Sequence, residues 1–433
     1  MPFLANRAGE PTPRDDLPAA PGETWPVDDQ QPLIGYLAMW RKLRSNADAS
    51  ALAAGLLDRA KRNVNAADSL MDLSWVLLAT GHREMAASTE ELALKLRQLY
   101  RLPAASGPVG VRLLALMAPG DYFANTPLDY LIEGSDVALD LLFVGPALPF
   151  PDSLPDHDVL FVAVCESDQN LPLLRQIGAL LTRHPGPTIN APGRIPFLAR
   201  DRASALLRGA PGVAMPISVR VDRSALAQVG RQERSLASII EEGVYPVIVR
   251  PVGSHMGADL WKLDDAEAVT RYLHAISGRE FYAARFVDYR SADGFFRKYR
   301  IALIDDSPFA CHLAISETWM VNYMNAQMGQ SAAKRNEEAQ FMATFDQDFA
   351  CRHAEALAAI HHRLQLDYVV IDCGETPDRR LLIFEVDSAA IIHATDPVEL
   401  FPYKQPTMRK AFDAFRRMLA SAMQRDPTRT QAG

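Results

Sequence analysis

The stretch from Leu366 to His393, LDYVVIDCGETPDRRLLIFEVDSAAIIH, limits the fold more than any other part of the chain. It reads as two short strands, LDYVVIDC and RLLIFEVD, joined by GETPDR, where Gly374, Pro377 and Asp378 are turn residues. Strands this apolar belong inside a sheet rather than at its edge. Asp372, Glu385 and Asp387 are set into them. Residues two apart on a strand share a face, so Glu385 and Asp387 point the same way, and a hairpin brings Asp372 opposite them. Three carboxylates on one apolar patch repel each other and resist burial. A divalent cation would resolve the conflict. The alternative is that the acids sit at strand ends and face water.

A chain of 433 residues exceeds one ordinary domain, and two or three are expected. Hydrophobic residues make up 48 % and charged residues 23 %, the balance of a globular protein with a sizeable core. A net charge of -8 gives nucleic acid no basic face to bind. No apolar run approaches the roughly 20 residues of a membrane span, and the N-terminus lacks a secretory pattern. Cys165, Cys311, Cys351 and Cys373 are scattered, so neither a zinc site nor a disulfide framework is expected, and a cytoplasmic setting follows.

Residues 1–32 read as a flexible, Pro-rich arm in which Trp25 is the one anchor, and 426–433 as a disordered tail. From 33 to 105 the apolar spacing is helical. Leu70, Leu73, Gly81, Ala86 and Ala93 resemble one tetratricopeptide repeat, with Ser74 at a usual small position. A single copy suits a cap on the next domain better than a free-standing array. From 106 to 195, VRLLALMAP, VALDLLFV and HDVLFVAVCES alternate with helical LPLLRQIGALLTR, which predicts a parallel α/β layer. Its strand ends carry Pro119-Gly120-Asp121 and Glu166-Ser167-Asp168-Gln169, and such edges bind ligands. No G-x-G-x-x-G follows a strand.

Two further α+β units are expected, 196–285 and 286–425. YPVIVRPVGSHMGADLWKL is a strand ending at Arg250, a loop bearing Gly253, Ser254, His255 and Gly257, and a second strand. Backbone amides without side chains suit phosphate oxygens. REFYAARFVDYRS and FRKYRIALIDDSPFACHLAIS are strands, the latter a pair turning at Asp305-Asp306. Residues 345–364 read as a helix with His353, His361 and His362 on its surface, and a last helix ends the fold.

From about residue 109 to 422 this order resembles the ATP-grasp superfamily, which includes D-alanine–D-alanine ligase and ribosomal-protein glutamate ligases. Asp201-Arg202 stands where the family has Asp-Lys, and Pro246-Val-Ile-Val-Arg250-Pro251 where it has a strand ending in lysine. Gly253 to Gly257 matches its glycine loop, Ala284-Arg-Phe286-Val287 its hinge, and Arg300 its arginine on the next strand. Asp372, Glu385 and Asp387 match its metal motif, with Asp387 in place of asparagine. The expected fold is therefore an α/β ATP-grasp fold behind a small all-α, repeat-like domain.

The resemblance implies an ATP- and Mg²⁺-dependent carboxylate–amine ligase working through an acyl phosphate, on a peptide or amino-acid substrate. It implies ATP contacts from Arg202, Arg250, Gly253, Ser254, His255, Gly257, and the hinge backbone at Ala284 and Phe286. A pair of Mg²⁺ ions, or Mn²⁺, would sit on Asp372, Glu385 and Asp387. Arg300 would act at the γ-phosphate. Arginine keeps the lysine's charge and adds a bidentate fork. His312, Trp319, Asn322 and Tyr323 are candidates for the acceptor pocket, with His312 also a candidate catalytic group; ordinary core packing is the alternative for all four. His393, just past the acids, is weighed as functional or structural. The alternatives are a scaffold protein with a degenerate nucleotide site and a small-molecule kinase. Expected partners are the substrate, a protein on the helical region and a second copy of the chain; nucleic acid and membrane are not expected.

Overall fold

The computed structural model describes residues 33–44, 48–63, 66–241, 243–322 and 325–425. The arm with Trp25, the tail and Tyr323 lie outside the described residues. The architecture is mixed α/β, with three sheets and a helical cap.

Helices α1 (Tyr36–Arg44), α2 (Ala49–Arg62), α3 (Ala67–Ala79) and α4 (Arg83–Leu96) form the cap. Asp48 starts α2 by accepting the Ser50 amide. Gly81, at φ 85°, turns the chain between α3 and α4, whose facing Ala86 and Ala93 are buried. The helix expected to run through Tyr100 stops at Leu96. Leu99–Leu102 is instead strand β1, because its amides find partners on an open sheet edge. Buried carboxylates fasten the cap down. Asp72 accepts the amides of Ile34 and Gly35, and Asp129 accepts that of Leu37 at 2.6 Å.

Burial pushes the Asp72 carboxyl up to about 7 despite those bonds. The folded chain thus holds this proton to higher pH than the unfolded one. Stability linked to it is full below the ordinary carboxylate value of about 3.9 and is lost as pH rises toward 7. Asparagine keeps an acceptor oxygen and cannot ionise. The difference in melting temperature between Asp72→Asn and the wild type should therefore move in the variant's favour from about pH 5 to about pH 8. A difference that stays flat with pH contradicts this assignment.

The first sheet adds β2 (Val111–Met117), a short α5 (Leu128–Leu131), β3 (Val137–Phe143), β4 (Val159–Val162), α6 (Leu171–Arg183) and β5 (Thr188–Ile189). Its order is β1-β3-β2-β4-β5, all parallel except β1. The β4 segment is buried at every residue, as a strand covered on both faces must be.

The chain then forms α7 (Arg200–Leu207), β6 (Val213–Ala214), β7 (Ser218–Asp222), α8 (Arg223–Gly230), β8 (Val247–Pro251), β9 (Trp261–Leu263), α9 (Ala266–Ala275) and β10 (Glu280–Arg285). Strands β7-β10-β8-β9 make an antiparallel sheet, and Val221, Leu226, Val249, Val269 and Phe281 share its core with α8 and α9.

The last sheet has β11 (Phe296–Ile304), β12 (Ser307–Ser316), β13 (Tyr368–Glu375) and β14 (Leu381–Asp387), in the order β12-β11-β13-β14-β6. Helices α10 (Ala332–Thr344), α11 (Phe349–Arg352), α12 (Ala354–Leu364) and α13 (Lys404–Gln424) complete it. The single helix expected over 345–364 is two, broken at His353, and α10 precedes them. His353 is not a surface residue. It is 2 % exposed and its Nε2 lies 2.8 Å from Glu375. Burial alone would raise the Glu375 carboxyl, yet His353 and Arg352 hold it down at about 2.

Candidate functional site

Strand register assembles the centre. Across the last sheet, His312 of β12 opposes Arg300 of β11, Arg300 opposes Asp372 of β13, and Asp372 opposes Glu385 of β14. Directly opposed side chains lie on one face, so four strands contribute one continuous polar row. Alternation adds Lys298 and Asp387, each two residues away, to the same face. The register shifts immediately after Arg300 and after Asp372. Such bulges re-aim side chains and are common beside active sites.

The row is neutralised internally. Arg300 grips Asp372 with Nε and Nη2 at 2.7 and 2.9 Å and gives Nη1 to the Ile391 carbonyl at 3.0 Å. Lys298 Nζ adds a second cation at 2.6 Å from Asp372. Burial alone would raise the Asp372 carboxyl; Arg300 and Lys298 outweigh it and hold it far below the usual range. Arg200, at the start of α7, donates to Glu385 at 2.5 Å and to the Phe384 carbonyl at 3.1 Å. Asp387 accepts the Ala389 amide at 2.8 Å and feels Arg300 and Arg200 only as lesser effects. Burial and the neighbouring Glu385 push it up to about 6. Glu166, beyond β4, is likewise pushed up to about 7 by burial and by Asp168 and Asp387. His312 is half-buried opposite Arg300; desolvation and then the Arg300 charge hold its imidazole neutral.

The glycine loop closes over this face. Arg250, only 7 % exposed at the end of β8, bonds Ser254 Oγ at 2.8 Å and also the Ser254 carbonyl. Burial and then Arg200 lower its guanidinium to about 10. Gly253 and Gly257 have φ of 77° and 76°, which side-chain-bearing residues rarely adopt. His255 stacks on Phe123 with ring centroids 4.2 Å apart, tying the loop to the edge of the first sheet. The field of Glu385, Arg250 and Arg200 reaches His255, whose pKa burial lowers.

Several expected residues stand elsewhere. Arg202 is exposed, donates to the Pro196 carbonyl at 3.5 Å, and its field acts on Glu166 and Asp168 rather than on Glu385. Helical rotation of 100° per residue sends it away from the face Arg200 occupies. Ala284 lies on a central strand, paired with Ser218 on one side and Ile248 on the other, so no open edge is left there for an adenine. The Phe286 amide already donates to the Pro246 carbonyl at 3.0 Å. Trp319 packs edge-to-face with Phe286 of the hinge, with Lys262 over the Phe286 ring. Asn322 caps a turn by accepting the Asn325 amide at 2.8 Å. His393 is half-buried, bonds Thr395 and is held neutral by desolvation, with a pKa of about 4.

The acids do not form a ready metal clamp. Both oxygens of Asp372 are taken by Arg300 and Lys298, and an oxygen of Glu385 by Arg200. Among the described residues no group of three or more His, Cys, Asp or Glu side chains is arranged to hold a metal ion. The three carboxylates share a face as expected, and cations from β11 and α7 resolve their repulsion instead. Arg200, Lys298 and Glu166 therefore join the site. The i, i+2 spacing of Lys298 and Arg300 was the available signal for one of them.

No family model and no curated protein matches the sequence. Among solved structures, the chain is similar to the D-alanine–D-alanine ligase of Bacillus anthracis complexed with ATP, at 11 % identity and a TM-score of 0.44, over 75 % of this chain and 100 % of that one. It is similar to the D-Ala:D-Ser ligase of Enterococcus faecalis at 12 % and 0.43, over 71 % and 99 %. An ATP-grasp RimK domain protein of Sphaerobacter thermophilus gives 17 % and 0.41, over 72 % and 99 %. Likenesses this distant leave the chemistry to be read from the side chains themselves.

Proposed function

We propose that this chain is an ATP-dependent carboxylate–amine ligase of the ATP-grasp kind. The observation that carries the reading is the row His312–Arg300–Asp372–Glu385, lined with cations and covered by a glycine loop. Arg200, Arg250, Lys298 and Arg300 bring four positive charges to one face. Asp372 and Glu385 offset two of them, and Asp387 and Glu166, with raised pKa values, oppose the rest less and less as pH falls toward 6. Such a face favours a polyanion, and loop amides free of side chains suit phosphate oxygens.

In this reading Arg200, Arg250 and the loop 253–257 hold the α- and β-phosphates. Arg300 and Lys298 face the γ-phosphate. A substrate carboxylate oxygen attacks the γ-phosphorus, the bond to the β-phosphate oxygen breaks, and ADP leaves. The amine then attacks the acyl carbon, inorganic phosphate departs, and the amine loses a proton. Both steps need mainly positioning and stabilisation of developing negative charge, which fixed guanidinium groups supply. His312, kept neutral, adds no charge beside Arg300. Metal ions are given no step, since the acids that would hold them are paired with cations.

Saturation of Asp372 by two cations also favours a second reading, in which the site binds nucleotide without turnover. Release of ADP separates the two. With ATP, Mg²⁺ and fractionated cell metabolites, the ligase releases ADP and phosphate only when a carboxylate and an amine are both present. Stabilisation by ATP without ADP release supports the binding protein. A stable phosphorylated product supports a kinase. ATP at about a hundredfold over its Kd should stabilise the fold by about 2.7 kcal/mol. No stabilisation by any nucleotide overturns every one of these readings.

A further inference from the structure

A cavity of about 90 Å³ lies where the helical cap meets the carboxyl edge of the first sheet. Tyr36, Trp75, Tyr122, Leu141 and Phe143 line it, so its wall is largely apolar and aromatic. Three acids, Glu90 of α4, Asp121 and Asp129, stand in its wall. Glu90 is 8 % exposed, and one carboxylate oxygen accepts the Gly120 amide at 3.0 Å. The charged side chain acting on Glu90 is Asp121, another acid, and burial pushes the carboxyl up to about 7. Such a carboxyl holds a proton part of the time at neutral pH, and a cation arriving beside it would favour its ionised form. Ile391 closes another wall, and its carbonyl accepts Arg300 Nη1, so the cavity adjoins the polar row.

We propose that this cavity seats a small organic amine, its nitrogen against Glu90 and its apolar body among Tyr36, Trp75 and Leu141. The inference deepens the ligase reading by giving the amine substrate a class: a compact aliphatic or aromatic amine. Charge complementarity selects the occupant. The acid asks for a cation, and aromatic faces attract one further. The volume admits a body of only a few heavy atoms and excludes a folded peptide. The helical cap, which supplies Tyr36, Trp75 and Glu90, thereby becomes part of a substrate site.

The test compares isoamylamine with isoamyl alcohol by titration calorimetry, on the full chain, without and with ATP. The pair share an apolar body and differ in charge. The amine is expected to bind at least about tenfold more tightly, and Glu90→Gln, whose amide oxygen still accepts the Gly120 amide, should remove that preference. Leu78→Phe, at a half-buried position of the cavity wall, should weaken both probes. Equal binding of amine and alcohol, no binding of either, or an undiminished preference in Glu90→Gln overturns the proposal. ATP affinity is read separately. Loss of the amine preference with ATP binding intact sinks the cavity alone, whereas an amine preference in a protein that binds no nucleotide sinks the ligase reading alone.

Discussion

Arg300→Met should abolish turnover and also destabilise the fold by about 3–5 kcal/mol, the range for stranding one partner of a buried ion pair. The guanidinium makes two bonds to Asp372 and one to the Ile391 carbonyl, and Asp372 is 4 % exposed. With Arg300 gone, Lys298 alone faces a carboxylate that burial penalises. Adding Asp372→Leu and Lys298→Met removes all three charges of the cluster, and apolar replacement of a whole buried ionic group is often neutral or stabilising. The triple variant should therefore recover most of the stability and none of the turnover. Urea unfolding and ADP release measure the two separately. Turnover that returns along with stability would mean that Arg300 only braces the sheet.

Arg200→Ala should weaken ATP binding by about 10- to 150-fold, the equivalent of 1.5–3 kcal/mol for a hydrogen bond to a charged group. Arg202→Ala should change it by no more than about twofold, as surface substitutions usually do. The two arginines are separated by one residue and share a charge, so the comparison isolates direction. Arg200 points at Glu385 and feels the field of Arg250, whereas Arg202 is exposed. Equilibrium dialysis with labelled ATP decides it. A larger loss in Arg202→Ala would restore the motif-based assignment and displace the geometric one.

That contrast shows where sequence reasoning ran out. The strand hairpin, the Asp305-Asp306 turn and helix α6 were legible because periodicity and turn residues agree there. The polar face was half legible. Alternation put Glu385 and Asp387 together, and the hairpin brought Asp372 opposite. What neutralises them depends on cross-strand register with β11 and on the rotation of α7, and neither is written locally. Helix α10 carries no apolar stripe, with only Glu338 and Met342 buried, so no period announced it. His353 looked exposed because its partner Glu375 comes from a strand beyond the next helix. The two-residue β6 and the four-residue β1 are too short for a period to announce them.

A crystal structure with a non-hydrolysable ATP analogue tests the central claim most directly. The account predicts the triphosphate beneath Gly253–Gly257, with Arg200 and Arg250 on the inner phosphates and Arg300 or Lys298 within hydrogen-bonding distance of the γ-phosphate. A nucleotide bound away from the His312–Arg300–Asp372–Glu385 row, with those four side chains paired as they are now, would contradict it.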